Sequence, residues 1–244
     1  MRSVIIFPDG ASSGNPGPGG WGAVLVGILN PSDRQESVAE VVELGGGGAG
    51  VTNNQMELKA ALEGLREASR RGLKRVTVAS DSSYVIQGAT KFISNWKRRG
   101  WTTQQGEPVK NQDLWNELDA VLSDVEVEWY RVRGHANVPG NERADAIAVA
   151  FSRGERPRLF SGALSAYAVA EIGMLPKPLP PPGQSKEKEF YVSYVNGKLE
   201  RHATWPECQN RVHGTRGAKY KKVRGEEELE RVLKSWGVSE TGSD

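Results

Sequence analysis

Apolar positions follow two periods along the chain. Residues 4–7, Val-Ile-Ile-Phe, form a short continuous run that stops at Pro8-Asp9-Gly10, and a second run starts at Trp21 beyond a Gly/Pro-rich loop. This predicts strand, tight turn, strand, with the Asp9 carboxylate where the first strand stops. Pro8 marks that end, since proline in a central strand loses a ladder hydrogen bond. Residues 36–44 hold enough β-branched side chains for a third strand. The glycines of 45–50 read as a flexible loop, and no Lys-Ser/Thr follows to make it a phosphate cradle. Capping side chains at Thr52-Asn53-Asn54 precede Leu58, Ala61, Leu62, Leu65 and Ala68 at helical spacing, placing Glu57 in the first turn of a helix.

Residues 75–80 predict a strand ending at Asp81, followed by a helical stretch over 82–87. The carboxyl end of a strand is where α/β sheets place their sites. Residues 91–101 interleave aromatics with Lys97-Arg98-Arg99, and 111–122 read as a helix with Leu114, Trp115, Leu118 and Leu122 on one face. A fifth strand over 125–132 leads through a Gly/Pro-bearing loop into a helix over 141–151, with Asp145 at the edge of its apolar stripe. Opening hairpin strands followed by alternating helices and strands predict an α/β unit, a mixed five-stranded sheet flanked by helices. Residues 153–186 are expected to hold one short helix around 164–171 and then a proline-rich, semi-extended linker. Beyond it, a strand over 189–195, a hairpin turn at Asn196-Gly197, a return strand over 199–204, a helix opening at Trp205-Pro206, a strand over 219–223 and a last helix predict a small α+β domain. It has a three-stranded antiparallel sheet and two helices. The expected division is 1–152, 153–186 and 187–244.

Charge changes the picture of that second domain. The chain of 244 residues carries 32 Lys/Arg against 30 Asp/Glu, but residues 186–224 hold 10 cations and 4 acids whereas 1–185 hold 20 of each. A local basic block implies a polyanionic partner. The acidic run at 226–228 suits the start of the last helix. A single cysteine, Cys208, excludes a disulfide framework and a Cys-rich zinc site. No signal peptide or membrane-length apolar run is seen, so a soluble cytoplasmic protein without a membrane partner is expected, as a monomer.

Asp9 and Asp81 end strands, Glu57 opens a helix and Asp145 edges another, so all four can meet at one sheet edge. Carboxylates that close repel one another, which is tolerable mainly if divalent cations bind. Oxygen-only ligands favour Mg²⁺ or Mn²⁺, and two such ions roughly 3.5–4 Å apart serve an in-line phosphodiester displacement. With 30 acids in the chain, spacing alone favours four unrelated surface acids, with Asp9-Gly10 merely opening a turn.

Residues 9–20 (Asp-Gly-Ala-Ser-Ser-Gly-Asn-Pro-Gly-Pro-Gly-Gly), 52–58 (Thr-Asn-Asn-Gln-Met-Glu-Leu), 81–85 (Asp-Ser-Ser-Tyr-Val), 109–115 (Val-Lys-Asn-Gln-Asp-Leu-Trp) and 134–145 (Gly-His-Ala-Asn-Val-Pro-Gly-Asn-Glu-Arg-Ala-Asp) resemble the type 1 ribonuclease H family in order and spacing. The resemblance covers about residues 1–152. It implies a ribonuclease H-like fold and an endonuclease cutting RNA paired with DNA, with Asp9, Glu57, Asp81 and Asp145 as ligands of two Mg²⁺ ions. It also implies that His135 assists proton transfer or product departure, for which an ordinary pKa of about 6.5 is suited. Asn15, Asn53 and Gln55 would read the minor groove or its 2′-hydroxyls, which distinguish RNA from DNA. Thr52 and Asn111 would hold a DNA phosphate. Lys97, Arg98, Arg99 and Trp101 match the family's basic protrusion. Ser83 departs from the family's usual longer amide, and Phe92 stands where the family often has Trp; both concern substrate grip.

Phe190-Tyr191-Val192, Thr204-Trp205-Pro206-Glu207-Cys208 and Ala218-Lys219-Tyr220-Lys221-Lys222-Val223 resemble the hybrid-binding domain carried by many type 1 ribonucleases H, where it usually precedes the catalytic domain instead of following it. The resemblance implies Trp205 and Tyr220 stacking on DNA sugars and Lys221 and Lys222 meeting phosphates. Two other readings stay open at this level: a hybrid-binding protein that does not cut, and a DNA-directed nuclease or integrase-like enzyme of the same fold.

Overall fold

The computed structural model describes residues 4–27, 39–134, 136–176, 189–215 and 217–238. The chain divides into two compact units, Met1–Pro182 and Gly183–Asp244.

In the first unit, β1 (Val4–Ser12), β2 (Gly17–Gly27) and β3 (Glu40–Val51) form an antiparallel meander. Helix α1 (Asn53–Arg70) crosses to β4 (Arg75–Ser80), which lies parallel to β1. Next come α2 (Ser83–Gln87), a π-helical turn, α3 (Ile93–Arg98) and α4 (Gln112–Leu122), then β5 (Glu126–Arg131) parallel to β4, and α5 (Pro139–Ser152). The order is β5-β4-β1-β2-β3-β6, because β6 (Ser161–Ala163) adds itself to β3. The mixed sheet therefore has six strands where patterning predicts five. Ser-Gly-Ala carries no β-branched residue, and β6 forms only because β3 offers it an open edge. The short helix expected around 164–171 is reduced to one 3₁₀ turn, Leu164–Ala166.

Both faces of the sheet are covered, which is why its strands read as continuous apolar runs. Ile6 and Leu25 face α1 and α4 with Leu58, Leu62, Leu65 and Trp115; their neighbours Phe7 and Val24 face α5 with Ala144 and Ile147. At the start of α1, the Thr52 hydroxyl accepts from Gln55 N at 3.3 Å and Gln55 Oε1 accepts from Thr52 N at 2.7 Å. This is a capping box closed by Gln.

Two local expectations change. The glycines at 45–48 are not a loop: they pair with 22–19 of β2. A side chain at Gly22 would sit 2.4 Å from Ala144 O and one at Gly20 2.1 Å from Ala148 O, so the glycines let the α5 backbone lie almost on the sheet. Pro8 does not end β1, which runs on to Ser12 paired with β2. It is tolerated because β1 pairs with β4 only over Val4, Ile5 and Ile6, so from Phe7 onward β1 has no partner on its β4 side.

In the second unit, β7 (Glu189–Val195) lies between β8 (Lys198–His202) and β9 (Lys219–Arg224), antiparallel to both. Asn196 and Gly197 take φ of 52° and 82°, as a two-residue hairpin turn requires. Helices α6 (Trp205–Val212) and α7 (Gly225–Trp236) complete it. Its core is small: Val192, Val223, Leu229, Val232 and Leu233. The proline-rich stretch at 177–188 lies outside the described residues.

Candidate active site

Where β1 parts from β4, a cleft of about 520 Å³ opens, and Asp9, Glu57, Asp81 and Asp145 all line it. Asp9 projects from the part of β1 that still pairs with β2 but no longer with β4, and Asp81 directly follows β4. Glu57 comes from α1, one turn deeper than patterning predicts, since no acid occupies the first turn. It reaches the cleft because α1 lies against β1 with no room for a side chain at residue 10: a Cβ on Gly10 would be 2.2 Å from Glu57 N. Asp145 comes from α5, held down on the glycines of β2.

The charges are felt mutually. Burial first, then the neighbouring Asp81 and more weakly Asp145 and Glu57, push Asp9 up to about 8 from its ordinary 3.8, against the pull of a 2.7 Å hydrogen bond donated by Gly10 N. Burial also raises Glu57, with Asp81 adding to it. Hydrogen bonds from Ser82 Oγ at 2.6 Å and Asn53 Nδ2 at 2.9 Å oppose that rise. No cationic side chain among the described residues enters the balance at either acid. Among the described residues, no three His, Cys, Asp or Glu side chains close tightly enough on one point to hold an ion as they stand. Glu57 is held by Ser82 and Asn53. The donor set nonetheless fits a hard divalent cation: all oxygen, excess negative charge, half-buried.

Ser82 was not singled out by patterning, although it is 6% exposed and caps α2 while clamping Glu57. The signal was present: a Ser directly after a strand-end Asp and before a helix is an N-cap. Gly134 is a second such residue, since a Cβ there would lie 2.6 Å from Asp81 Oδ2.

The predicted substrate contacts divide. Asn53 lines the cleft, its backbone N–H meeting Asn15 Oδ1 at 3.4 Å. Thr52 and Gln55 cap α1. Asn111, at φ 59°, donates to Tyr84 OH at 2.9 Å, as Trp115 Nε1 does at 3.0 Å. Phe92, 41% exposed, lines a second cleft of about 360 Å³ with Trp96 and Arg99. Lys97 is paired with Asp119 at 2.6 Å, Arg98 donates to Asn95, and Trp101 packs against the core. His135 lies outside the described residues.

In the second unit Tyr191, Trp205 and Tyr220 form a row with ring centroids 5.5 and 5.3 Å apart, and Tyr220 is 52% exposed. Tyr191 was not assigned a binding role by sequence. Lys221 is exposed, whereas Lys222 is paired with Glu189 at 2.6 Å.

The RNase H family model matches residues 1–153. A ribonuclease H of Cyanothece sp. is 47% identical over 154 residues, spanning 63% of this chain and 92% of that protein. One of Pseudomonas savastanoi pv. phaseolicola is 51% identical over 148 residues, 60% and 90% of the two chains. Among solved structures, LC9-RNase H1, a type 1 RNase H with the type 2 active-site motif, superposes with a TM-score of 0.55 at 30% identity, covering 66% of this chain and 78% of its own. The family match ends at residue 153, before the second unit begins.

Proposed function

The chain belongs to the RNase H family and is an endonuclease that hydrolyses the RNA strand of RNA–DNA hybrids, and we propose that Asp9, Glu57, Asp81 and Asp145 do this work by holding two divalent cations. The observation that carries the reading is the cleft of four acids, in which burial and neighbouring charge push Asp9 up to about 8. Bound there, Mg²⁺ or Mn²⁺ would supply a nucleophile from water and charge stabilisation for the departing oxygen.

The chain's own groups do the rest. Ser82 and Asn53 orient Glu57, and Gly10 N fixes one oxygen of Asp9, so these carboxylates are placed before substrate arrives. His135 serves as the proton carrier or aids product release. Asn15, Asn53 and Gln55 face the minor groove, and Thr52 and Asn111 a DNA phosphate. Arg99 and Phe92 grip the backbone beside the second cleft, with Trp101 behind them and Arg98 and Lys97 adding charge; Lys97 must give up Asp119 to take part. In the second unit, which we assign to hybrid binding, Tyr220 and Trp205 stack on sugars and Lys221 and Lys222 meet phosphates. Tethering such a binder raises the substrate concentration at the cleft.

Labelled RNA offered as single strand, RNA duplex and RNA–DNA hybrid, with and without Mg²⁺, tests this. The hybrid alone should be cut, and only with the ion; equal cutting of all three, or cutting in excess chelator, would overturn it.

A further inference from the structure

Beyond the family match at 153, the chain does not leave the first unit. Residues 159–175 run back over the α5 face: β6 pairs with β3, Leu164 N donates to Ala39 O at 2.8 Å, and Ile172 is buried at 1% exposure among Phe7, Ala144 and Ile147. Where this strap meets α5 sits Glu43, whose side chain is 1% exposed. Its carboxylate accepts from Arg143 Nε at 2.6 Å and Nη2 at 2.9 Å, from Phe160 N at 2.9 Å, and from the Tyr167 hydroxyl. Burial alone would raise Glu43; the hydrogen bonds from Arg143, Tyr167 and Phe160 outweigh it and hold the group ionised below its usual range.

Three elements far apart in sequence are thereby joined at one buried ion: β3, α5 and the strap. Arg143 stands two residues before Asp145. At about 100° per residue the two point to nearly opposite flanks of α5. A helix laid on glycines has few side-chain ridges to stop it rolling, so a fixed Arg143 on one flank determines where Asp145 lies on the other.

We propose that Glu43, Arg143 and Tyr167 are positioning residues for Asp145, set by a strap that makes residues 159–175 part of the catalytic machinery. The inference rests on Asp145 being a cation ligand. It predicts that loosening the strap weakens cation binding without touching hybrid recognition. Groups bonded directly to a ligand change metal affinity by about 10–100-fold; acting through the helix, the strap should change it by about three- to tenfold.

The test uses the full chain as wild type, Tyr167→Phe, Glu43→Gln and Asp145→Asn. Mn²⁺ is titrated without nucleic acid, free ion being read by electron paramagnetic resonance, and hybrid kcat and KM are measured across Mn²⁺ concentrations. Tyr167→Phe removes one hydroxyl and keeps the ring that packs on Phe160 at 4.9 Å, so it should fold. Expected are a threefold or larger loss of Mn²⁺ affinity in Tyr167→Phe, a greater one in Glu43→Gln, hybrid KM unchanged, and kcat restored by added Mn²⁺. Mn²⁺ affinity unchanged in both strap variants but weakened in Asp145→Asn would overturn the inference, leaving the strap a stabilising element only. Affinity unchanged in all three would overturn the ligand assignment and the inference together.

Discussion

The two units use aromatic and charged side chains in opposite ways. In the first, four carboxylates sit in a cleft against closely packed backbone, and their proximity shows as an Asp9 pushed up to about 8. In the second, the row ending in Tyr220 and the cation of Lys221 lie at the surface over a small core built around Val192, Val223 and Leu229. Held charge costs stability and supports chemistry; exposed charge costs little and supports binding that salt can weaken. The contrast predicts which unit each substitution will affect, and how much.

The largest effect should come from Asp9→Asn, with kcat on a hybrid falling by at least about a thousandfold, as for other groups that act as a unit, while hybrid binding survives. The same variant should be more stable when metal-free. Between pH 3.8 and about 8, the folded chain keeps a proton on Asp9 that the unfolded chain has lost. Stability in chelator therefore declines as pH rises through that window. Asp9→Asn should flatten the decline and raise Tm near pH 7.5 by a few degrees; a lower Tm there would contradict the electrostatic account.

Next in size is Gly10→Ala. A methyl 2.2 Å from Glu57 N must push α1 off β1, at a cost of about 1–3 kcal/mol or more. Both Tm and kcat should fall, kcat by at least tenfold, and circular dichroism melts with single-turnover rates would show it. An unchanged kcat would mean that the seating of α1 does not matter to the cleft.

Removing residues 187–244 should leave kcat on saturating hybrid within about twofold and raise KM, more at 50 mM than at 150 mM salt. Within that unit, Tyr220→Ala should cost about 1 kcal/mol of hybrid affinity, and Lys221→Ala should lower the slope of log K against log salt by about one. Lys222→Ala should do less, since Lys222 is already paired with Glu189. Fluorescence anisotropy over a salt series separates the three; a salt slope untouched by Lys221→Ala would remove that residue from the interface.

Much of this was legible in the sequence, and what was not has a common cause. Strands over 75–80 and 189–195, the helix capped by Thr52 and the hairpin at Asn196-Gly197 follow from local periodicity and turn chemistry, and the structure has them at those places. The glycines at 45–48 misled because their strand character comes from the close approach of α5, a tertiary fact. Pro8 misled because its tolerance depends on where β4 stops pairing, and β6 escaped notice because a three-residue strand is made by the edge it joins. At the site, the four acids could be named from the resemblance of their motifs to the ribonuclease H family, not from spacing alone. Ser82, Gly10 and Glu43 could not be weighed, since their roles depend on what folding brings beside them: Glu57 for the first two, Arg143 and Tyr167 for the third.

Anomalous diffraction from crystals grown with Mn²⁺ tests the central claim most directly, because it sees the ion and not its consequences. The account predicts anomalous density in the cleft between Asp9, Glu57, Asp81 and Asp145, lost in Asp9→Asn. Crystals of active protein with Mn²⁺ bound elsewhere and none at these four side chains would contradict it.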